Sequence, residues 1–506
     1  MTLRPAILLA AATGLLSPFA APATAQVLCE NGTAAGYPCS SIDLASMLTP
    51  PELGAGTGHY INDLWGWTDE TSGREFALVG RTDGTAFVEV TDPTNPVYLG
   101  NLPTNTVATI WRDVKVYSNH AYIVADGASN HGVQVFDLTQ LLAITTPDSL
   151  SAVTVYSGIA SAHNIAINED TGFAYSVGNR SGGTTCGGGL HMIDLSNPAS
   201  PQFAGCFADT NTGRSGTGYT HDAQCVIYHG PDATYQGREI CIGSNETSIS
   251  VADVTDKGSP EAITFASYPT ASYVHQGWLS DDHRYFYQND ELDEFADSTN
   301  TATIIWDLED LDDPQVANIH VHSTTNVDHN LYVRGTMLYQ AHYHNGLRIS
   351  DITNPTDIVE VGFFDTRPDL DGRGYGGAWS VYPFLDSGTV LVSSNNGLFV
   401  LTPRGPASVG VEDELAEVVS RSSVTVAPNP MGGSGVVTVQ VDQADRVRVS
   451  VYDVLGREVR VLVDREFPSN AAVEIPLSRE GLPAGTYFAV ARGSGISASS
   501  KFVIAE

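Results

Sequence analysis

Four histidines, each followed by an amide or an acid, open short β-rich runs: His163-Asn164 (HNIAIN), His221-Asp222 (HDAQCV), His275-Gln276 (HQGWLS) and His329-Asn330 (HNLYVR). They are 58, 54 and 54 residues apart. Neutral imidazole is a versatile ligand for transition metals, and four copies at one repeat position would point at one axis. Asp222, Glu246, Asp290 and Glu291, with Asp293 beside them, are the candidate carboxylate co-ligands. An open coordination position on such an ion would allow hydrolytic or oxidative chemistry. Two other readings stand beside this one. Each histidine could plug its own repeat by donating to a neighbouring loop carbonyl, or could serve metal-free binding or acid–base work. Arg112-Asp113 occupies the same position in an earlier repeat, where the arginine would repel a cation but could clamp an anion. Together with Asn164, Gln276 and Asn330, this pair is expected to line a ligand face. The acidic run NDELDE adds a calcium reading, since hard cations take clustered carboxylate oxygens. It lacks the glycine and the terminal glutamate spacing of an EF-hand loop. These residues alone do not name a cofactor; one held here would be a divalent metal, calcium or a transition metal. No serine nucleophile elbow, phosphate-binding loop or dinucleotide fingerprint stands in a strand–turn–helix context.

A period near 50 built from short strands predicts a β-propeller. Seven units begin near Asn62, Arg112, His163, His221, His275, His329 and Ala378. Each contains a second apolar strand (AYIVA, EICIG, TVLVSS), a third (GVQVFDL, SISVADV, GLRISDI) and a weaker fourth such as PQFAGCF. Long helical periodicity is absent, so the fold class is all-β. Third strands end in a repeated acid–turn pattern, as in EVTDPTNP, DLSNPASP, DVTDKGSP and DLEDLDDP. Aspartate beside Ser, Thr and Pro reads there as turn chemistry rather than catalysis. In a four-stranded antiparallel blade, the start of strand one and the end of strand two share a face. The histidines therefore share theirs with the polar loops RTDG, SNETS, QNDELDE, AHYHNG and SSNNG. The seventh unit ends at its third strand, so residues 40–58 are expected to close the ring.

The first 25 residues read as an export leader: Arg4, an apolar run from Ala6 to Ala21, and Ala23-Thr24-Ala25 before Gln26. No run after leader removal is long enough for a membrane span. Net charge is −34, with three lysines in 506 residues, which excludes nucleic acid and anionic membrane as partners. Six cysteines in an oxidising compartment read as disulfides. Strand adjacency favours the local pairing Cys29–Cys39, Cys186–Cys206 and Cys225–Cys241.

The segments WGWTDETSGREFALVG, WRDVKVYSNHAYIV, HNIAINEDTGFAYSVG, GGLHMIDLSNPASPQFAGCF, HDAQCVIYHGPD, HQGWLSDD, NDELDE and DHNLYV resemble the choice-of-anchor B family, whose repeats are of the LVIVD type. The resemblance runs from about Cys29 to Leu401 and implies a secreted β-propeller. That family tends to have Asn where this chain has His342, which argues against His342 as an obligate ligand; His344 is not carried over either. Residues 424–506, with VTVAPNP, RVRVSVYDVLGREV, LPAGTYFAVA and SSKFVIAE, resemble the type A sorting domain of the type IX secretion system. This implies handling by that machinery and release from, or attachment to, the outer surface of a Gram-negative, Bacteroidota-like bacterium. Asp453 and Arg457 are read there as turn and recognition residues. The expected organisation is a leader (1–25), a closing segment (26–58), a seven-bladed β-propeller (59–403), an acidic linker (404–423) and a small C-terminal β-sandwich (424–506). The expected function is binding of a protein or glycan. The alternative is a metal-dependent secreted hydrolase or oxidase centred on the four histidines.

Overall fold

The computed structural model describes residues 26–179, 185–296, 299–408, 423–441, 445–453, 457–468, 471–492 and 497–505. The expected leader and most of the expected acidic linker lie outside these residues. The chain divides into two compact units, residues 1–411 and 412–506.

The first unit is a seven-bladed propeller of antiparallel sheets. Its innermost strands are Ile61–Asp69, Arg112–Tyr117, Asn164–Asn168, Asp222–Ile227, Val274–Leu279, Asp328–Arg334 and Ala378–Tyr382. Blade seven takes its fourth strand from the N-terminal Ile42–Leu48, which runs antiparallel to Gly397–Pro403. The ring is thereby closed by chain from both ends. Tyr37–Ser40 and Thr33–Ala34 extend blade six outward. Second and third strands are buried on both sheet faces, because neighbouring blades cover them, and so read as near-continuous apolar runs. Fourth strands are wet, as in Glu261–Ala266 and Gln315–Val321, because nothing packs outside them.

The acid–turn pattern is a structural device. Asp137, Asp194, Asp253, Asp307 and Asp351 each use Oδ1 to accept the backbone N–H two residues on, at 2.7–3.0 Å. In blades four and five the same aspartates also pair with an arginine at the start of strand two, Arg238 at 2.8 Å and Arg284 at 3.0 Å. All six cysteines are paired, as Cys29–Cys39, Cys186–Cys206 and Cys225–Cys241. The last pair joins directly opposed residues of strands one and two in blade four. Each closes a loop of 10 to 20 residues, worth roughly 3 kcal/mol in the chain-entropy model.

The second unit is a small β-sandwich. One sheet holds Ser423–Ala427, Ser434–Val441 and Ala471–Ser478; the other holds Glu458–Phe467, Asp445–Asp453, Gly485–Arg492 and Ser497–Ile504. Its core follows from period-2 alternation: Val447, Val449 and Val451 point inward while Arg446 and Arg448 face water. No helix among the described residues is long and apolar enough to cross a membrane.

Candidate metal centre

The opening dipeptide of each blade divides its labour by strand alternation, which sends successive side chains in opposite directions. The amides link blade to blade. Asn164 donates Nδ2–H to the His221 carbonyl at 3.0 Å. Gln276 donates to the Leu331 carbonyl at 3.0 Å and accepts the Leu331 N–H at 2.9 Å. Asn330 donates to Ser380 Oγ at 3.1 Å and Asp63 Oδ2 at 3.2 Å. In blade two, Asp113 accepts the Ile165 N–H at 2.8 Å and pairs with Lys115 at 2.6 Å. Arg112 is buried, donating to the Arg81 carbonyl, to Thr104 Oγ1 and toward His131 Nε2. These five residues, expected on a ligand face, are engaged in holding the inner ring together and do not line the histidine funnel.

The histidines converge. His163, His221, His275 and His329 form one continuous arc of rings, with successive centroids 4.2, 4.3 and 4.4 Å apart. Three are oriented through Nδ1: His163 on Asp126 Oδ2 (3.1 Å), His221 on the His275 carbonyl (3.0 Å) and His329 on the Trp379 carbonyl (2.6 Å). Anchoring Nδ1–H on an oxygen leaves Nε2 as the lone-pair nitrogen, the arrangement that metal-binding histidines use. His275 differs. It is 1% exposed, and neither ring nitrogen makes a hydrogen bond, although Asn289 lies near enough to raise its basicity slightly.

Glu291 reaches this arc from the end of strand two in blade five. Its Oε2 lies 3.8 Å from His275 Nε2 and its Oε1 3.9 Å from His329 Nε2. These spacings exceed a hydrogen bond, yet they suit two donors on one ion at about 2.0–2.2 Å each. One donor atom from each of His275, Glu291 and His329 lies within 4.8 Å of the other two. Tyr343 orients the carboxylate by donating its hydroxyl to Oε1 at 2.8 Å. The funnel around them, about 260 Å³, is walled by Trp111, Asp126, Tyr219, Tyr273, Tyr343 and Trp379.

Burial sets the protonation states. Desolvation, then the adjacent His221, His329 and His163 rings, holds His275 far below its ordinary value. Desolvation brings His329 down to about 3. Both imidazoles are thus neutral and ready to donate a lone pair. Glu291 is pushed up to about 7 by burial, against the Tyr343 hydrogen bond. Asp126 would also rise on burial, but the bonds from His163, Gly127 and Ser161 hold its carboxyl low.

The other candidate co-ligands lie elsewhere. Asp222 faces away from the funnel into a second cavity at the opposite mouth of the axis. Glu246 caps a loop, accepting the Arg214 N–H at 3.2 Å. Asp290 is fully used by the Tyr268 hydroxyl and the Ser272 and Tyr273 N–H groups, and Asp293 turns into a short buried helical turn with Glu294. The NDELDE run thus sends one side chain into the funnel, not a clustered set. His342 is buried away from the funnel beside His322, with ring centroids 5.2 Å apart. Sequence reasoning missed Asp126 and the aromatic wall. One signal was available: a tyrosine stands two residues before the histidine in both GYTHD and SYVHQ, giving Tyr219 and Tyr273.

Comparison with known proteins gives two family matches. The LVIVD repeat model matches residues 185–209 and 329–366, and the secretion system C-terminal sorting domain matches residues 425–505. A search of curated proteins returned no match. Among solved structures, a protein from Lactobacillus plantarum aligns with 83% of this chain and 100% of its own at 12% identity and a TM-score of 0.44. A putative 6-phosphogluconolactonase from Bacteroides uniformis aligns over 59% and 87% at 13% identity, with a TM-score of 0.42. The C-terminal WD40 domain of Sif2 aligns over 73% and 92% at 8% identity, with a TM-score of 0.40. The chain combines LVIVD propeller repeats with a type IX sorting domain, and is a propeller-type protein exported to the cell surface or beyond.

Proposed function

We propose that the propeller is a binding protein whose ligand face carries a divalent transition-metal ion on His275, His329 and Glu291. His163 and His221 stand beside it. The observation that carries this reading is His275: a buried imidazole with no well-formed hydrogen bond at either nitrogen and only the Asn289 side chain near it, facing Glu291 Oε2 at 3.8 Å. A buried polar group without a partner is costly, and a metal bond supplies the partner. Two imidazoles and a carboxylate suit zinc or a similar borderline ion. Its remaining coordination positions would open into the aromatic funnel, where a carboxylate or other oxygen donor of a protein or glycan could complete the shell.

A second reading, metal-dependent catalysis, is favoured by one feature. The Asp126–His163 pair places an oriented imidazole in the same funnel, where it could accept a proton from metal-bound water. The test begins with metal content. After dialysis the mature protein should retain about one zinc-like ion per chain, and the His275→Ala/His329→Ala variant should retain none while keeping its circular dichroism spectrum. Equal metal content in the two proteins sinks the proposal.

A further inference from the structure

The far ends of the same inner strands enclose another cavity, of about 450 Å³. Five aromatic rings line it: Trp65, Trp278, Tyr332, Tyr382 and Phe384. They brace one another edge to face. Trp65 meets Tyr382 at 4.9 Å and Tyr332 at 5.6 Å, and Trp278 meets Tyr332 at 5.0 Å between centroids. Rings held this way are fixed in place and resist collapse into the space between them.

The charged groups on the cavity wall are Lys115, Asp222, Glu169 and Asp170. Lys115 is already matched, with Nζ 2.6 Å from Asp113 Oδ1 and 4.5 Å from the centroid of the Trp65 ring. What remains is acidic. Asp222 Oδ1 accepts the N–H of its neighbour Ala223, at 2.7 Å, and burial pushes its carboxyl up to about 8, which leaves the standing negative charge to the rim. Glu169 and Asp170 stand exposed on the rim, and among the described residues neither is paired with a cation. Aromatic faces carry a negative quadrupole that attracts cations, most strongly where water is excluded. The Lys115 ammonium over Trp65 is an internal example of what these rings accommodate.

We propose that this second mouth binds an organic cation, an alkylated ammonium group, against the Trp278 and Tyr332 rings with Glu169 and Asp170 on the rim opposing its charge. The chain's net charge of −34 concentrates such cations at the mouth. None of these residues belongs to the histidine funnel, so the site stands independently of the metal reading.

Calorimetric titration of the mature full-length protein with choline and with 3,3-dimethylbutan-1-ol tests the site, since the alcohol has the same shape without the charge. Choline should bind at least about tenfold more tightly than the alcohol. Trp278→Ala should weaken choline at least about fivefold. Glu169→Gln, on the exposed rim where the fold is not at stake, should weaken it about twofold. Stripping divalent metal with EDTA should leave choline binding unchanged. Equal affinity for the neutral alcohol would make the cavity merely apolar and overturn the proposal. Absence of choline binding, indifference to both variants, or loss on EDTA treatment would overturn it as well.

Discussion

The two mouths of the propeller axis are lined by the same inner strands, yet their chemistry is opposite. At one end, side chains at the strand starts gather four imidazoles, joined by one glutamate from the end of a second strand, in a funnel with few competing hydrogen bonds. At the other, residues two to six places further on gather five aromatic rings around a lysine matched by aspartate. Between them lies a polar collar, Asp63, Asp113, Lys115 and the blade-linking amides. A propeller repeats one backbone position seven times, so a residue type favoured at that position is multiplied into a ring or an arc. Advancing along the strand changes which position is multiplied. A single fold can therefore carry two unrelated sites without either constraining the other.

The collar gives the largest test of this separation. Asp113→Ala removes the carboxylate that Lys115 meets at 2.6 Å and leaves its charge to the more distant Asp63 and Asp222 near the axis. The expected cost is about 3–5 kcal/mol in denaturant unfolding, with metal content at the upper mouth unchanged in the folded fraction. Metal itself should act on the whole propeller. Zinc at about one hundred times its dissociation constant should add about 2.7 kcal/mol of stability by linkage, and the His275→Ala/His329→Ala variant should show no such gain. A similar gain in that variant would locate the ion elsewhere.

A smaller effect separates the orienting groups from the ligands. Asp126→Asn keeps the shape beside His163 but removes the carboxylate that its Nδ1 meets at 3.1 Å. If His163 assists the ion, metal affinity falls about tenfold; if it does not, affinity is unchanged and the centre is confined to His275, Glu291 and His329.

The smallest effect is a pH dependence arising below the funnel. Burial raises Asp63 to about 7 and Asp222 to about 8, each with Asp113 adding and Lys115 opposing. Their unfolded values are about 4, so the folded protein holds protons that the unfolded chain has released. Their contribution is fully present below pH ~4 and is lost as pH rises through the folded values. The buried histidines act in the other direction. His131, lowered to about 4 by burial and by Arg112, and His329, lowered to about 3, withdraw stability as pH falls below about 6.5. Between pH ~6.5 and ~8.5 only the carboxyl effect operates, so Tm should decline across that interval. Asp222→Asn should flatten the decline.

Some of this was written in the chain without reference to its folding. The repeat of His plus amide, the short β-branched strands and the Asp-led turns are local features whose physics acts within a few residues. They therefore specified an all-β propeller and the position of its strands. The cysteines paired locally because strand neighbours within a blade are also sequence neighbours. In the C-terminal unit, alternation in RVRVSVYDV was enough to assign the inward-facing valines.

Direction was not legible. A His-Asp or His-Asn dipeptide does not state which of its two side chains enters the funnel, and only the register at the inner strand settles it. Asp222 and Glu291 illustrate the point. Both were candidate co-ligands, but Asp222 follows its histidine on the strand and is turned to the opposite mouth, whereas Glu291 arrives from the end of a second strand and meets two imidazoles. Arg112 and Asp113 were drawn inward by partners 31 and 52 residues away. Asp126, Trp111, Tyr219 and Tyr273 are brought in from loops, and Trp65 and Phe384 meet at the lower cavity from opposite ends of the propeller sequence. Local propensity and spacing made the blades; closing seven blades around one axis chose which residues face each other, because that contact exists only when the ring is complete.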